Sequence, residues 1–322
     1  MILTVTPNPL LERRLTFNSV SLGVVNRSTE EIFYPGGKGI NVSRQLSKLG
    51  IKNLALTFLG GNNGKLLRKA MESDGINFNA VSTKSETRDG LLSIDEEKME
   101  ITSFISPDSE ITEKEIDEFI SRMDKAIQNC SIVLLSGSAP TEYSKNIFTE
   151  GVKLANKYDK ITFIDTYGDH LKDCIELSPF ALHNNQYEIE TSFGLELKSE
   201  EEKVNFLNLL NQHDVKMGFI TDGENEIYSS KFGFNFKTKP PKVNGINSLG
   251  SGDAFVAGIM YGIEKAFVYN DFVKLGTALG ALNAERLDAA NIDYSEAETL
   301  LKKIEVIPIG KKMKLIDDSP NY

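Results

Sequence analysis

Short apolar runs alternate with helical patterns along most of this chain. Ile2–Thr6 reads as a short apolar strand. Lys38–Leu49 carries apolar residues at Ile40, Val42, Leu46 and Leu49, the spacing of a helix face, and Gly50 ends it. Asn53–Leu59 reads as a buried strand, and Gly60–Gly61 turns into a helix at Lys65–Asp74. Glu113–Asn129 is an amphipathic helix, Ser131–Leu135 a strand, Tyr143–Lys157 a helix and Ile161–Asp165 a strand. Glu200–Gln212 is helical and Lys216–Thr221 a strand. This βαβα rhythm predicts an α/β protein, a mostly parallel sheet with helices on both faces.

Two regions break the rhythm. Leu10–Ser21 and Ser28–Tyr34 are β-rich with no helix between them. Gly90–Ile94 and Glu100–Ile105 form a hairpin pattern around Asp95-Glu96-Glu97-Lys98. Both are expected to project from the main sheet as a small second layer. Later, Ile227–Ser230 and Phe232–Thr238 pair as a hairpin. From Ser251 to Arg286 the chain is nearly all helix, rich in small residues that let helices approach closely. The polar tail after Ile309 is expected to fray.

Composition narrows the function classes. The net charge of −10 argues against a nucleic-acid or anionic-membrane partner. Cys130 and Cys174 show no metal-binding or disulfide spacing, so both read as small reduced core residues. No stretch has the apolar length of a membrane span, and the amino-terminal residues lack signal-peptide character. These features predict a cytoplasmic protein. His170, His183 and His213 are scattered, which suits solvated or structural roles better than metal ligation.

The richest chemistry lies in Asn247-Ser248-Leu249-Gly250-Ser251-Gly252-Asp253-Ala254-Phe255-Val256-Ala257-Gly258. A glycine turn opening a helix leaves backbone N–H groups unpaired beside the positive end of the helix dipole. Such a turn suits a phosphate or the charge that grows during phosphoryl transfer. Asp253 stands where a carboxylate could accept a hydroxyl proton. The same residues also read as a plain helix start with Asp253 as N-cap. A second glycine-rich segment, Pro35-Gly36-Gly37-Lys38-Gly39-Ile40-Asn41, opens the first helix, with Lys38 able to pair with a phosphate and Asn41 one turn on. Alone, it is equally a tight turn. Gly60-Gly61-Asn62-Asn63-Gly64-Lys65-Leu66 fails as a P-loop, because its glycines are one residue too close and Leu66 replaces the Ser/Thr. Ser136-Gly137-Ser138-Ala139-Pro140 lacks the serine-hydrolase spacing. Asn185 and Glu188 share a helical face and could order a hydrated magnesium ion, or simply form helix surface.

In order and spacing, these segments resemble the ribokinase-like (PfkB) family of carbohydrate kinases over essentially the whole length. The branch with 1-phosphofructokinases and tagatose-6-phosphate kinases fits best. Thr4-Val5-Thr6-Pro7-Asn8-Pro9, Leu59-Gly60-Gly61-Asn62-Asn63-Gly64, Asp165-Thr166 and Thr221-Asp222-Gly223 join the motifs above in carrying the likeness. The resemblance implies one ribokinase-like domain over residues 1–322, with β-lid strands at about 10–34 and 88–105. It implies ATP and magnesium as cofactors and a sugar phosphate as substrate, fructose 1-phosphate or tagatose 6-phosphate. Gly250, Ser251 and Gly252 would form the anion hole and Asp253 the base. Nucleotide would meet Thr221, Asp222, Gly223 and Asn283, with magnesium near Asn185 and Glu188. Lys38 and Arg88 would hold the sugar's phosphate, and Glu12, Gly37 and Asn41 its hydroxyls. Exposed lid strands could pair between subunits, which allows a homodimer.

Three positions depart from the branch. Glu12 replaces an Asp, and a displacement of roughly 1 Å can cost about 10²-fold in rate. Gly90 replaces a common Asn, and His183-Asn184 replaces Lys-Pro. These changes keep two alternatives open: a PfkB kinase for another sugar or a nucleoside, and a sugar-phosphate sensor without turnover.

Overall fold

A computed structural model describes residues 1–310. The chain runs β1 (Ile2–Thr6), β2 (Leu10–Phe17), β3 (Glu30–Gly36), α1 (Lys38–Lys48), β4 (Asn53–Gly60), α2 (Gly61–Ser73), β5 (Phe78–Thr83), β6 (Asp89–Asp95) and β7 (Glu100–Ile105). It continues with α3 (Glu113–Gln128), β8 (Ile132–Ser136), α4 (Asn146–Lys157), β9 (Ile161–Asp165), α5 (His170–Glu176), β10 (Ala181–Asn185), α6 (Gln186–Phe193), α7 (Glu200–Gln212) and β11 (Met217–Thr221). It closes with β12 (Ile227–Lys231), β13 (Phe234–Thr238), α8 (Ser251–Glu264), α9 (Tyr269–Ala284), α10 (Tyr294–Leu301) and β14 (Val306–Ile309).

Ten strands form one sheet in the order β14-β13-β12-β11-β10-β9-β8-β1-β4-β5. The seven from β11 to β5 are parallel, and β12, β13 and β14 add an antiparallel edge. The core follows from strand geometry, because successive side chains point to opposite faces. Val133 and Leu135 of β8 join a core with α3, α4, α5, α6 and α7. Their neighbours Ile132 and Leu134 join another with α1, α8 and α9. Covered on both sides, such a strand must be apolar throughout, as Ile-Val-Leu-Leu is. Cys130 and Cys174 are buried free thiols, pushed by burial up to about 11 and about 12.

The two β-rich interruptions form the expected second layer, a four-stranded sheet in the order β3-β2-β6-β7. The small residues of α8 and α9 do bring those helices together: a Cβ on Gly258 would lie 2.6 Å from the Gly276 Cα. Two boundaries move. α2 starts at Gly61, directly after β4, four residues before the expected Lys65. The segment from Tyr143 opens as one 3₁₀ turn before α4 begins at Asn146. The fraying expected beyond Ile309 falls mostly outside the described residues.

The chain leaves β1 to build β4 and β5 on one side, then crosses to build β8 to β11 on the other. Ligands of open α/β sheets bind at the carboxyl ends of the strands at such a switch. Thr6, Ser136, Asp165, Asn185 and Thr221 all end their strands there. The small sheet begins at Leu10, three residues separating it from β1, at this same end.

Candidate active site

The glycine turn opens as expected, with one correction. Gly250, not Asp253, is the N-cap of α8, and its φ of 80° is left-handed, where a side chain is strained. Asp253 is the third helical residue, so its carboxylate is released from capping. Among the described residues, the N–H groups of Gly250, Gly252 and Asp253 find no acceptor, whereas that of Ser251 donates to the Ser248 carbonyl at 3.1 Å. Two of the open donors, Gly250 and Gly252, are among those expected; Asp253 joins them and Ser251 drops out.

Asp253 is 6% exposed, and Asn41 Nδ2 donates to its Oδ2 at 2.8 Å. Burial, then the negative charge of Asp165, push its carboxyl up to about 7, against the pull of Lys38, Asn41 and His183. Asp165 goes the other way: burial is outweighed by Lys38, His183 and Ser136, and it stays ionised below the usual range. Two neighbouring carboxyls with proton affinities pushed apart is the pattern of an assigned base beside a fixed charge. Lys38 Nζ lies 3.2 Å from Asp165 Oδ1 and 2.6 Å from Glu188 Oε1. Burial works against its charge, yet Asp165, Glu188 and Asp253 hold it protonated well above the ordinary range.

His183 braces this end of the sheet. Its Nδ1 is 3.1 Å from Asp165 and its Nε2 3.2 Å from the Thr221 hydroxyl. Structural use was expected of it, and it has one. Beyond Thr221, Asp222 sits 3.6 Å from Lys203 and accepts from Asn225 at 3.1 Å, and Gly223 continues the turn into β12.

Asn185 and Glu188 form a capping box at the start of α6. The Asn185 side chain accepts from the Glu188 N–H at 2.8 Å, and Glu188 Oε2 accepts from the Asn185 N–H at 3.1 Å and from Asn184 Nδ2 at 3.2 Å. With Lys38 on Oε1, Glu188 retains little acceptor capacity. No group of three or more His, Cys, Asp or Glu residues among the described ones could cage a metal. Asn184 Oδ1, however, is buried beside Glu188 with no donor. That donor set fits magnesium held through water, a cation that keeps much of its hydration, and not a full protein shell.

Arg88 is anchored by the segment before β2 and the loop after β7. Its guanidinium donates to the carbonyls of Asn8 (3.1 Å) and Pro9 (3.3 Å) and to Asp108 (2.8 Å). Lys38 and Arg88 share no protein partner: Asp165 and Glu188 claim the lysine. Glu12 is buried, and one oxygen, Oε2, takes both Arg14 Nε (3.0 Å) and Nη2 (2.7 Å). Its Oε1 covers Gly36, where a Cβ would stand 2.5 Å away. Gly37 precedes α1 with a φ of 116°. Asn283, expected beside the nucleotide, is 0% exposed. It braces the turn instead, donating to the Leu249 carbonyl (2.8 Å) and Ser251 Oγ (3.2 Å) and accepting from the Ala290 N–H (2.6 Å). In the P-loop look-alike, the Asn63 N–H donates to Glu86.

Asp165, Asn8 and Asp108 had no assigned role from sequence. Asp165 and Asn8 lie inside segments that carry the family likeness, which could have flagged them. Asp108 follows Pro107 in a loop and offers no such signal.

Residues 11–296 match the pfkB family of carbohydrate kinases. The chain is 30% identical to a 1-phosphofructokinase of Borreliella burgdorferi, covering 95% of this chain and 98% of that one. It is 27% identical to a tagatose-6-phosphate kinase of Staphylococcus epidermidis, covering 96% and 100%. A solved structure described as a possible 1-phosphofructokinase from Thermotoga maritima superposes with a TM-score of 0.88 at 25% identity, covering 96% and 100%. The fold is also that of phosphofructokinase-2 from Escherichia coli in complex with substrates and products, with a TM-score of 0.84 at 21% identity, covering 94% and 98%. An open glycine turn, a buried carboxyl of raised proton affinity beside it and these matches over nearly the whole chain lead to one conclusion: this chain belongs to the pfkB family of carbohydrate kinases, phosphotransferases with an alcohol acceptor.

Proposed function

We propose that this chain transfers the γ-phosphoryl group of ATP to a hydroxyl of a ketohexose monophosphate. Fructose 1-phosphate is the first substrate and tagatose 6-phosphate the next. The observation that carries this reading is Asp253: buried, raised to about 7 and set at the mouth of the unpaired Gly252 and Asp253 N–H groups. A base whose proton affinity matches the working pH is the effective one. Asp253 takes the hydroxyl proton as the sugar oxygen bonds the γ-phosphorus. The bond from that phosphorus to the β–γ bridging oxygen breaks, and ADP leaves. The turn's N–H groups and Lys38 offset the charge of the moving phosphoryl group.

We assign the two cations to different phosphates. Lys38, among Asp165, Glu188 and Asp253, serves the transferred group. Arg88, a planar fork anchored by Asn8, Pro9 and Asp108, serves the phosphate already on the sugar. Glu12, Gly37 and Asn41 meet the sugar's hydroxyls, and Thr221, Asp222 and Gly223 line the nucleotide. Asn185, Glu188 and Asn184 would hold magnesium through water, and it would supply charge neutralisation on the nucleotide phosphates. The small sheet leaves Ile32, Phe33, Phe104 and Ile105 exposed, which supports a homodimer paired through it. No helix among the described residues is long and apolar enough to cross a membrane.

An ADP-release screen across fructose 1-phosphate, tagatose 6-phosphate, fructose 6-phosphate, fructose and ribose tests the reading. Turnover confined to one of the first two supports it. Preference for an unphosphorylated sugar moves the chain to another branch of the family, and binding without turnover on all five makes it a sensor.

A further inference from the structure

Arg44 is outside the roles assigned above, yet it is 4% exposed and its guanidinium makes four hydrogen bonds. Nη1 donates to Asn41 Oδ1 at 2.8 Å and to the Ala289 carbonyl at 3.0 Å. Nε donates to Asp74 at 2.7 Å, and Nη2 to the Pro35 carbonyl. The guanidinium also lies over the Tyr34 ring, 4.3 Å from its centroid. The same ring carries the guanidinium of Arg14 at 3.9 Å, and Arg14 is the residue that holds Glu12.

The contact with Asn41 is directional. A guanidinium has donors and no acceptor, so it can face only the carbonyl end of a carboxamide. That choice leaves the Asn41 NH₂ for Asp253, as observed at 2.8 Å. Turned over, the amide would set its oxygen against the carboxylate. We infer that Arg44 is a positioning residue for the base: it locks the Asn41 carboxamide with its NH₂ toward Asp253, and the Tyr34 stack ties this lock to the Glu12–Arg14 pair. The inference rests on Asp253 being the base.

The charged and titratable groups around Asp253 are Lys38 on α1, Asp165 on β9 and His183 on β10. Loss of the Asn41 donation leaves only Lys38 and His183 to favour ionised Asp253 against burial and Asp165. Its proton affinity then rises, and the acid limb of kcat/KM moves to higher pH. Arg44→Lys keeps a cation for Asp74 but loses the fork. The expected shift is about one pH unit, or about tenfold in kcat/KM below both limbs, with recovery in alkali. Asn41→Ala should shift the limb similarly, and Asn41→Ala/Arg44→Lys should shift it no further than Asn41→Ala alone. Carbon-13 NMR titration of Asp253 in the ligand-free protein should show the same displacement without any turnover. An unchanged limb in Arg44→Lys, equal loss at every pH, or additive shifts in the double variant would overturn the inference. Should Arg44→Lys fail to fold, Tyr34→Leu and Tyr34→Phe carry the test: the first should shift Asp253 and the second should not, and identical behaviour sinks the proposal. A displaced NMR titration in a protein that phosphorylates no sugar would reject the proposed function and leave this inference standing.

Discussion

Lys38 Nζ lies 2.6 Å from Glu188 Oε1, an ion pair closed between residues 150 positions apart. With Asp165 at 3.2 Å on the other side, the lysine is committed to the cluster around Asp253. Arg88, bound to Asn8, Pro9 and Asp108, is not. Lys38→Ala should therefore lower kcat strongly and leave KM for the sugar phosphate within a few-fold. Arg88→Ala should raise that KM by about 10- to 100-fold, the worth of one charge-assisted contact of roughly 1.5–3 kcal/mol. Steady-state kinetics with fructose 1-phosphate and ATP decide this. Two variants with the same kinetic signature would return both cations to one phosphate.

Asp253→Asn should lower kcat by about 10²- to 10⁴-fold while both substrates still bind. In the wild type, the acid limb of kcat/KM should fall near pH 7, where burial and Asp165 have pushed the carboxyl. A limb near pH 4 would show that Asp253 is not the titrating base.

The same shift predicts a stability effect. Asp253 is raised from 3.8 to about 7 on folding, so the folded protein prefers it protonated. That stabilisation is full below pH 3.8 and is lost as pH rises through about 7. Asp253→Asn, always neutral, should melt higher than the wild type at pH 8, at about 2–4 °C per kcal/mol. The gap should close on acidification toward pH 4. A melting temperature difference independent of pH would contradict the assignment.

Glu188→Gln should raise the magnesium concentration needed for half-maximal activity. Gln preserves the capping box, so α6 should remain formed. The change removes the negative charge that faces Lys38 and that would face the proposed magnesium. Activity titrated against magnesium at saturating ATP measures it, and an unchanged requirement would remove Glu188 from the metal site.

Gly36→Ala should displace Glu12, because its Cβ would stand 2.5 Å from Glu12 Oε1. The backbone at Gly36 is not in the left-handed region, so the effect is steric and local. KM for the sugar phosphate should rise about tenfold or more, as misplacements of roughly 1 Å do, with KM for ATP nearly unchanged. Equal effects on both substrates would place Glu12 outside the sugar site.

The order of elements was legible because it follows from local pattern. Ile-Val-Leu-Leu in β8 must be buried on both faces, and the β-rich interruptions had no helix to carry them into the main sheet. The glycine turn and Asp253 were legible for the same reason: a helix start and its neighbours are fixed within a few residues. Partner choice was not. Helix α1 shows apolar Ile40, Val42 and Leu46, which suggests a solvated opposite face, yet Asn41, Ser43, Arg44 and Gln45 are all buried. Ser43 meets Thr4, and Gln45 exchanges two hydrogen bonds with the backbone of Ile292. A buried polar group needs a partner, but its type does not say which one. Asn41 to Asp253 spans 212 positions, and Lys38 could reach a phosphate or a carboxylate equally well by chemistry. The sequence by itself determined the layers, the glycine turn and the carboxylate beside it. Tertiary structure decided which charges face one another, because proximity between distant segments is set by packing and not by local propensity.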